Sequence, residues 1–439
     1  MSFGAGILLP QRYSVQKNLS SLHLDFLTGT SLDSRVTFTR STTATFFGSN
    51  GSLQVAAINA PRFDYSPSTS ALLGLLIEEQ RTNSIRNNTM QDAVAGSPGT
   101  FPTNWGVPIV YGSTGLTTEV AAVGTENGIS YVDFKVSGTA SGAGALLITF
   151  EPNTQIVASQ NQVWTLSIYR KLVAGSFNGL SSSAGNLFLN SYSAAGVFDG
   201  SHTGTILNES APTGAALKTQ RSTLTGTLSS ATTARVNGGM YLAIADGAAI
   251  DITLRIGLPQ LELGGFATSA IPTTTAAVTR AADIAVMTGA NFSSWYNASE
   301  GTFVASFEAS PNTYTTYLAA SNGTVAQNSV HIDNDIGGNM RAAYYSGSSN
   351  VALLSLGAIG ALNAVNKVAT AYRVNDFAAS RNGAAAVTDT AGAVPSGVDR
   401  LNIGADPSGA AVNVSNTHIR TITYYPSRLS NTQLQALSS

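Results

Sequence analysis

The chain has 439 residues, of which 43% are hydrophobic and only 10% are charged, and its formal net charge is −2. This length predicts two or three domains, and the absence of a basic surplus argues against nucleic acid as a partner. The sequence contains no cysteine, which excludes disulfides and thiolate metal sites. No apolar run approaches the roughly 18–20 residues that span a bilayer, so we expect no membrane insertion.

The first 20 residues mix polar and aliphatic side chains without a clear period. A segment this short does not fold alone, so it either orders on docking to a larger particle or stays a frayed terminus. We favour docking, and we predict that attachment is made by Phe3, Ile7, Leu8, Leu9 and Tyr13.

Alternation of apolar and polar residues, which is typical of strands with one wet face, recurs along the chain. It is clearest at residues 132–136, 164–168, 250–256 and 367–374. Asn-Gly pairs suit two-residue hairpin turns, because both residues tolerate positive φ. They occur at residues 50–51, 127–128, 237–238, 322–323 and 382–383. These patterns predict an all-β fold of tandem antiparallel sandwiches, or jelly rolls.

A helix is clearly indicated only at the end of the sequence, where Ser430 and Gln433 have the spacing of a capping box. We predict a short helix from about Asn431 to Leu437. Stretches rich in small and turn-forming residues at 91–104 and 267–277 have the composition of linkers. The predicted domains are an N-terminal attachment module (1–90), a middle jelly roll (91–280) and a C-terminal sandwich (281–439).

Residues that could support catalysis are sparse. The four histidines are scattered, and neither a nucleophile elbow nor a phosphate loop is present. Glu78 and Glu79 are adjacent carboxylates, but neighbours on a strand point to opposite faces and would not flank one glycosidic bond. We therefore predict a protein that is not an enzyme, with no catalytic residue and no resident cofactor.

Residues 331–339 concentrate oxygen ligands in a short loop. Two interpretations are open. Asp333 and Asp335 could hold Ca²⁺, which takes oxygen ligands, or these residues could form an ordinary turn, which Asp and Asn favour. We favour the turn.

Carbohydrate sites combine an aromatic face with a few well-placed polar groups. Trp164 lies on an alternating apolar face and is predicted to belong to the core. Burial is also the commoner outcome for an aromatic residue at a domain edge. Trp105 and Trp295 lie in polar, loop-like contexts. The predicted ligand contacts are Trp105, Trp295, Arg341, Tyr344 and Tyr345.

Residues 24–27 (LDFL) with 36–45 (VTFTRSTTAT), 61–65 (PRFDY) and 74–83 (GLLIEEQRTN) recur together in a known family. In order and spacing they resemble the N-terminal module of tailed-bacteriophage head-spike, head-fibre and tail-fibre proteins. Residues 257–264 and 267–283 are similar to the exit of the carbohydrate-binding-module-like jelly rolls in those proteins. Residues 301–303, 401–404 and 419–426 resemble concanavalin A-like, laminin-G-like lectin domains.

The resemblance implies an appendage on the virion surface. Its N-terminus would attach to capsid, neck or tail proteins, the chain would assemble as a homotrimer, and its sandwiches would bind host-surface polysaccharide. A purely structural decoration or fibre protein without a ligand is the first alternative. A glycan-degrading spike ranks behind it, because no acid pair stands out in the sequence.

Overall fold

The computed structural model describes residues 19–106, 109–180, 186–202, 205–207, 211–311, 314–324, 327–407 and 413–439. The predicted attachment residues Phe3, Ile7, Leu8, Leu9 and Tyr13 lie outside these ranges. Within them the regular secondary structure consists almost entirely of antiparallel strands, so the all-β prediction is confirmed. In the same ranges, no helix is long and apolar enough to cross a membrane.

The first part of the chain forms β1 (Leu22–Asp25), β2 (Thr37–Thr39), β3 (Ala44–Phe47), β4 (Leu53–Ala56), β5 (Phe63–Tyr65), β6 (Leu72–Ile77) and β7 (Arg81–Asn83). The middle part forms β8 (Ile109–Tyr111), β9 (Thr114–Glu126), β10 (Ile129–Ser141), β11 (Gly144–Thr149), β12 (Ile156–Val157), β13 (Val163–Gly175), β14 (Asn186–Tyr192), β15 (Phe198–Ser201), β16 (Thr205–Leu207), a 3₁₀ turn (Leu217–Thr219), β17 (Arg221–Thr227), β18 (Arg235–Ile244) and β19 (Ala249–Leu263). The last part forms β20 (Val278–Arg280), β21 (Ile284–Thr288), α1 (Ala290–Ser293), β22 (Glu300–Glu308), β23 (Thr315–Ser321), β24 (Ser329–Asn334), β25 (Asn339–Ser346), β26 (Ser349–Ala358), β27 (Val365–Arg373), β28 (Asp376–Arg381), β29 (Val387–Asp389), β30 (Arg400–Ile403), β31 (Thr417–Tyr425) and α2 (Asn431–Ser438).

The first and last parts of the chain fold together into one body, the terminal sandwich. Its sheet I has the strand order β29-β28-β27-β22-β31-β6-β5, with β1 also paired to β31. Its sheet II has the order β2-β21-β30-β23-β24-β25-β26. The structure therefore corrects the predicted boundary at residue 90. The strands before it complete the sheets of the C-terminal sandwich, and they do not form a separate module.

Aromatic rings fill the core between sheets I and II. Phe307 stacks on Tyr317 with ring centroids 3.8 Å apart, and Trp295 meets Tyr424 edge-on at 5.0 Å. Burying each such side chain contributes roughly 1.5–3 kcal/mol. The first contact joins β22 of sheet I to β23 of sheet II, and the second joins the segment after α1 to β31, so the rings connect the two sheets across the core.

The middle of the chain, residues 84–277, is a second body inserted into the first, and we call it the inserted sandwich. Its sheet III has the order β16-β17-β13-β19-β10-β9, and its sheet IV has the order β15-β14-β18-β11-β8 with β12 beside β18. Strands β7 and β20 pair with each other, with Asn83 opposite Val278. The chain therefore leaves the terminal sandwich and returns to it at one point. The predicted linkers are packed segments, since Phe101 lies on the inserted core and Ala270 on Phe47.

A buried ion network connects the two sandwiches beside this point. Its members have side chains at most 6% exposed and are Arg40, Arg62, Glu78, Arg280 and Asp283. Arg62 reaches both Asp283 and Glu78, and its Nη1 lies 2.7 Å from Glu78 Oε2. Glu78 also accepts hydrogen bonds from the backbone N and the Oγ of Ser269, in the inserted sandwich, at 2.7 and 2.6 Å. Removing one partner from such a network leaves an uncompensated buried charge, which typically costs about 3–5 kcal/mol.

The turn and cap predictions have mixed outcomes. Asn127 and Gly128 join β9 to β10 with φ values of 50° and 79°, as a type I′ turn requires. Gly238 instead lies inside β18, where a Cβ would meet the Leu166 side chain at 3.2 Å, so this glycine serves packing. At the C-terminus the capping box of Ser430 and Gln433 forms, and the helix prediction is confirmed.

Candidate functional site

The two tryptophans predicted as ligand contacts are core residues. Trp105 is 7% exposed, and its Nε1–H donates to the carbonyl of Asn87 at 2.7 Å. Trp295 is 4% exposed and donates to the carbonyl of Asn291 at 2.8 Å. The prediction is wrong for both, because Trp105 packs on Phe150 and Trp295 packs on Phe292 and Tyr424 inside the two cores. Trp164 is buried, as its apolar alternation predicts.

Tyr344 is also a core residue, which corrects a third predicted contact. Its side chain is fully buried between the sheets, meets the Thr370 hydroxyl, and donates to the carbonyl of Ala371 at 3.2 Å. Successive residues of a strand point to opposite faces, so Tyr344 faces inward while Arg341 and Tyr345 face outward on β25. Tyr344 and Tyr345 are adjacent in the sequence, but their side chains lie on opposite faces of sheet II.

Residues 331–339 form the turn that the second interpretation predicts, and both aspartates of the calcium interpretation have partners within the protein. The carboxylate of Asp335 accepts hydrogen bonds from the backbone N of Gly337 and Asn339 at 2.8 and 2.9 Å, which closes the β24–β25 hairpin. The carboxylate of Asp333 is occupied by Arg341. Among the described residues, no group of three or more His, Cys, Asp or Glu side chains converges as metal ligands would.

Arg341 and Tyr345 do come together, on the outer face of sheet II, in what we call the arginine site. Asp333 lies opposite Arg341 in the β24–β25 register, and Arg341 Nε and Nη2 reach its two oxygens at 2.7 and 3.1 Å. The His331 ring lies 5.5 Å from the Tyr345 ring. Arg341 Nη1 has no acceptor among the described residues, so one guanidinium donor is left for a ligand.

Tyr314 completes the arginine site. Its side chain is 41% exposed. Burial, and then the negative charge of Asp333, raise the pKa of Tyr314 above its usual range, so the hydroxyl stays protonated at neutral pH. The hydrogen bond to Asp333 likewise raises the pKa of Arg341. The site therefore presents the rings of Tyr314 and Tyr345 beside a charged guanidinium whose main partner is Asp333.

A second candidate surface, which the sequence reasoning missed, covers the outer face of sheet IV. Five rings project from it and form the aromatic face: Tyr111, Phe188, Tyr192, Phe198 and Tyr241. Tyr111 is 51% exposed, Phe198 59% and Tyr241 39%, which are high values for large rings on a strand. Exposed aromatic patches on soluble proteins mark binding surfaces.

Packing positions the rings of the aromatic face. Tyr192 and Phe198 meet edge-on at 6.0 Å between centroids. The Phe188 ring lies across Gly239, where a Cβ would come within 2.6 Å of the ring, so the glycine makes room for it. Asn190 adds hydrogen-bonding groups and accepts from the Ser201 hydroxyl at 2.6 Å.

The sequence contained a signal for this surface. In β14, Leu187 and Leu189 face the core while Phe188 and Tyr192 alternate with them on the outer face. An aromatic residue on the wet side of an alternating strand is a stronger indicator of a binding surface than a lone tryptophan in a polar segment.

Comparisons with known proteins identify no family. No family model matches the chain, and no curated protein matches it. Solved structures that are similar to parts of it include a carbohydrate-binding module (CBM40) of the Ruminococcus gnavus IT-sialidase bound to α2,3 sialyllactose. That likeness has 20% identity and a TM-score of 0.30, and covers 34% of this chain and 87% of that one.

Two further similar structures are a sialidase and a pentraxin. The NanB sialidase of Streptococcus pneumoniae shares 15% identity over 33% of this chain and 25% of its own, with a TM-score of 0.29. A SAP-like pentraxin of Limulus polyphemus shares 11% identity over 32% of this chain and 70% of its own, with a TM-score of 0.25. Each likeness covers about a third of this chain. The candidate sites therefore rest on the contacts and exposure of this chain's own residues.

Proposed function

We propose that this protein is a non-catalytic, glycan-binding appendage of a tailed-bacteriophage virion. The observation that carries the glycan-binding proposal is the aromatic face of sheet IV. Tyr and Phe rings offer flat apolar surfaces for the C–H faces of sugars, and the Tyr hydroxyls and Asn190 offer partners for sugar hydroxyls. The five rings and Asn190 carry no carboxylate, so the surface is suited to binding and lacks the acid pair that glycoside hydrolysis uses.

The virion part of the proposal rests on the sequence resemblance of residues 20–85 and 257–283. In this proposal the segment before residue 19 attaches to capsid, neck or tail proteins, and the chain acts as a homotrimer on the virion surface. Several copies together would raise the avidity of a weak single site for host-surface polysaccharide.

Binding of the purified full-length chain to immobilised bacterial polysaccharides tests the glycan proposal. We expect saturable binding that Tyr241→Ala and Tyr111→Ala each weaken by about three- to tenfold, since one aromatic contact is worth roughly 0.5–1.5 kcal/mol. Tyr314→Ala is the matched control, because Tyr314 is comparably exposed but belongs to the terminal sandwich. A loss of binding in Tyr314→Ala alone would move the site to the arginine site.

A structural decoration protein without a ligand is the second candidate, and one observation favours it. Arg40, Arg62, Glu78 and Asp283, which all lie within the resembling stretches, are members of the ion network and not of a ligand surface. This candidate predicts that the well-folded chain binds no polysaccharide at all while still attaching to the particle.

A further inference from the structure

A groove runs between the two sandwiches beside the ion network, and we call it the junction groove. It has two lobes of about 300 Å³ each. Ala267, Asn363 and Asn416 line both lobes, so the lobes are continuous. One wall belongs to the inserted sandwich and the other to the terminal sandwich. Clefts between domains, at this size, are preferred places for small ligands.

The carboxylates that line the groove are already neutralised by the protein. Glu78 is held by Arg62 and Arg280 in the ion network. Asp64 Oδ2 lies 3.0 Å from Nε2 of His418, while Glu308 Oε2 lies 2.7 Å from its Nδ1. Although burial lowers it, hydrogen bonds and charge from these two carboxylates raise the pKa of His418 to about 9. His418 is therefore cationic at neutral pH.

The inserted sandwich adds two further cations to the second lobe. Lys218 projects from the 3₁₀ turn across Gly51, where a Cβ would lie 2.3 Å from its Nζ. Among the described residues, no acceptor lies within hydrogen-bonding distance of that ammonium group. Arg221 lies in the same lobe and donates to the carbonyl of Thr268 at 2.7 Å and to the Ser167 hydroxyl at 2.8 Å. The Lys218 ammonium thus gives the second lobe a positive charge that an anion would balance.

The first lobe is uncharged apart from Glu78, which the ion network neutralises. Thr223 contributes a hydroxyl and Asn363 an amide, while Phe266 and Leu362 contribute apolar surface. Neither the Thr223 hydroxyl nor the Asn363 amide has a hydrogen-bond partner among the described residues. Side chains of this kind match the alternating hydroxyl and C–H surfaces of a sugar.

From these contacts we propose that the junction groove binds an acidic saccharide. Its carboxylate would lie at Lys218 and Arg221 in the second lobe, and its neutral sugar units would lie in the first lobe. This inference rests on the proposed glycan-binding function and adds a second, charge-selective site to the neutral aromatic face. A neutral saccharide would leave the Lys218 ammonium without a counter-charge, so the groove discriminates by the carboxylate.

Calorimetric titration of the full-length chain tests this site. The probes are uronate- and nonulosonate-terminated oligosaccharides, each paired with its carboxyl-reduced, neutral counterpart. We expect the acidic member of at least one pair to bind about tenfold or more tightly than the neutral one, since hydrogen bonds to charged groups are worth roughly 1.5–3 kcal/mol. Lys218→Met should remove that preference and Lys218→Arg should retain it. Lys135→Ala is the matched control. Lys135 lies on β10, three strands from the β17 strand that carries Arg221, so this variant should not change the preference for the acidic probe.

Because the chain has no cysteine, a single Thr223→Cys variant reports occupancy of the groove directly. The acidic probe should slow alkylation of this thiol by iodoacetamide and leave a control Thr117→Cys, on strand β9, unaffected. If acidic and neutral members of every pair bind equally, or if Lys218→Met keeps the preference, the groove proposal is overturned. Neutral polysaccharide binding that depends on Tyr241 would still stand in that case, whereas loss of that binding alone would overturn the proposed function.

Discussion

His418 is the residue whose charge state depends most clearly on its neighbours. It lies on β31, at the end of sheet I that faces the inserted sandwich, and each ring nitrogen meets a carboxylate oxygen. A buried cation between two carboxylates satisfies all three groups, so their mutual attraction offsets part of the cost of burying them. The same arrangement ties the stability of the junction to pH.

The raised pKa of His418 predicts that the folded protein loses stability in mild alkali. A folded-state pKa of about 9, against a usual value of 6.5, contributes stability that is fully present below pH 6.5 and is lost as pH rises through 9. The contribution is up to about 3 kcal/mol. Urea unfolding at several pH values should show this decline in the native chain, and His418→Gln should flatten it.

His202→Gln is the control for this measurement. Burial lowers the pKa of His202, so its contribution changes only as pH falls below its usual range, and the variant should keep the decline between pH 7 and 9.5. An unchanged alkaline slope in His418→Gln would show that His418 does not carry its proton in the folded protein at neutral pH.

At the scale of elements, the β3–β4 hairpin and the β9–β10 turn form a contact between the sandwiches. The backbone N of Leu53 donates to the carbonyl of Asn127 at 2.8 Å. Phe47 and Leu53 of the hairpin pack with Ile129 and Leu258 of the inserted sandwich. The turn therefore has two roles, since it reverses the chain within sheet III and receives the hairpin of the other body.

Gly128→Ala should destabilise this contact by roughly 3 kcal/mol or more. The residue has a φ of 79°, and a Cβ would lie 2.2 Å from the Leu53 carbonyl oxygen, so strain and collision add. Gly247→Ala is the matched control: its φ is 72°, but a Cβ there meets nothing within 4 Å, so it should cost only about 1 kcal/mol. Denaturant titration of both variants measures the difference, and equal losses would contradict a role for the contact.

Local patterns predicted the elements better than their partners. Alternation identified strands such as β10 and β19, because one buried face imposes its period on the sequence. The capping box was readable because it is closed by residues three apart. In contrast, β1 pairs with β31 almost 400 residues later, and no local signal encodes that choice. The two tryptophans were misplaced for the same reason, since distant strands decided their burial.

The candidate site was predicted in part. Arg341, Tyr345 and Asp333 do share one surface, because residues near a hairpin stay close in space. The aromatic face gathers rings from β8, β14, β15 and β18, which are joined only by the sheet order. The junction groove lies between two bodies, and only their packing against each other creates it.

At the scale of the whole molecule, the chain is one sandwich interrupted by another. The inserted sandwich begins and ends at the β7–β20 ladder, where Asn83 faces Val278. All strands of sheets I and II lie outside residues 84–277. Removal of the insert would therefore take no strand from sheets I and II, and it would remove the contacts at the junction.

Excision of residues 84–277, with Asn83 joined to Val278 through an Asn-Gly turn, should leave a folded terminal sandwich. We expect it to be less stable by at least about 2 kcal/mol, because Glu78 loses both hydrogen bonds from Ser269. Circular dichroism and denaturant unfolding of this variant, beside the separately produced 84–277 fragment, provide the measurement. If the excision variant is unfolded while the 84–277 fragment is folded, the terminal sandwich requires its insert.

The position of β31 also affects how the protein is made. This strand is the hydrogen-bonded neighbour of β1, β6 and β22, yet it is synthesised after all three. Until it emerges, β1 has no partner in sheet I and β6 has only β5, although the inserted sandwich is already complete and free to fold. Translation therefore completes the inserted sandwich before it completes the terminal sandwich. A chain that stops before β31 would carry a complete inserted sandwich beside a terminal sandwich whose sheet I lacks the strand between β22 and β6.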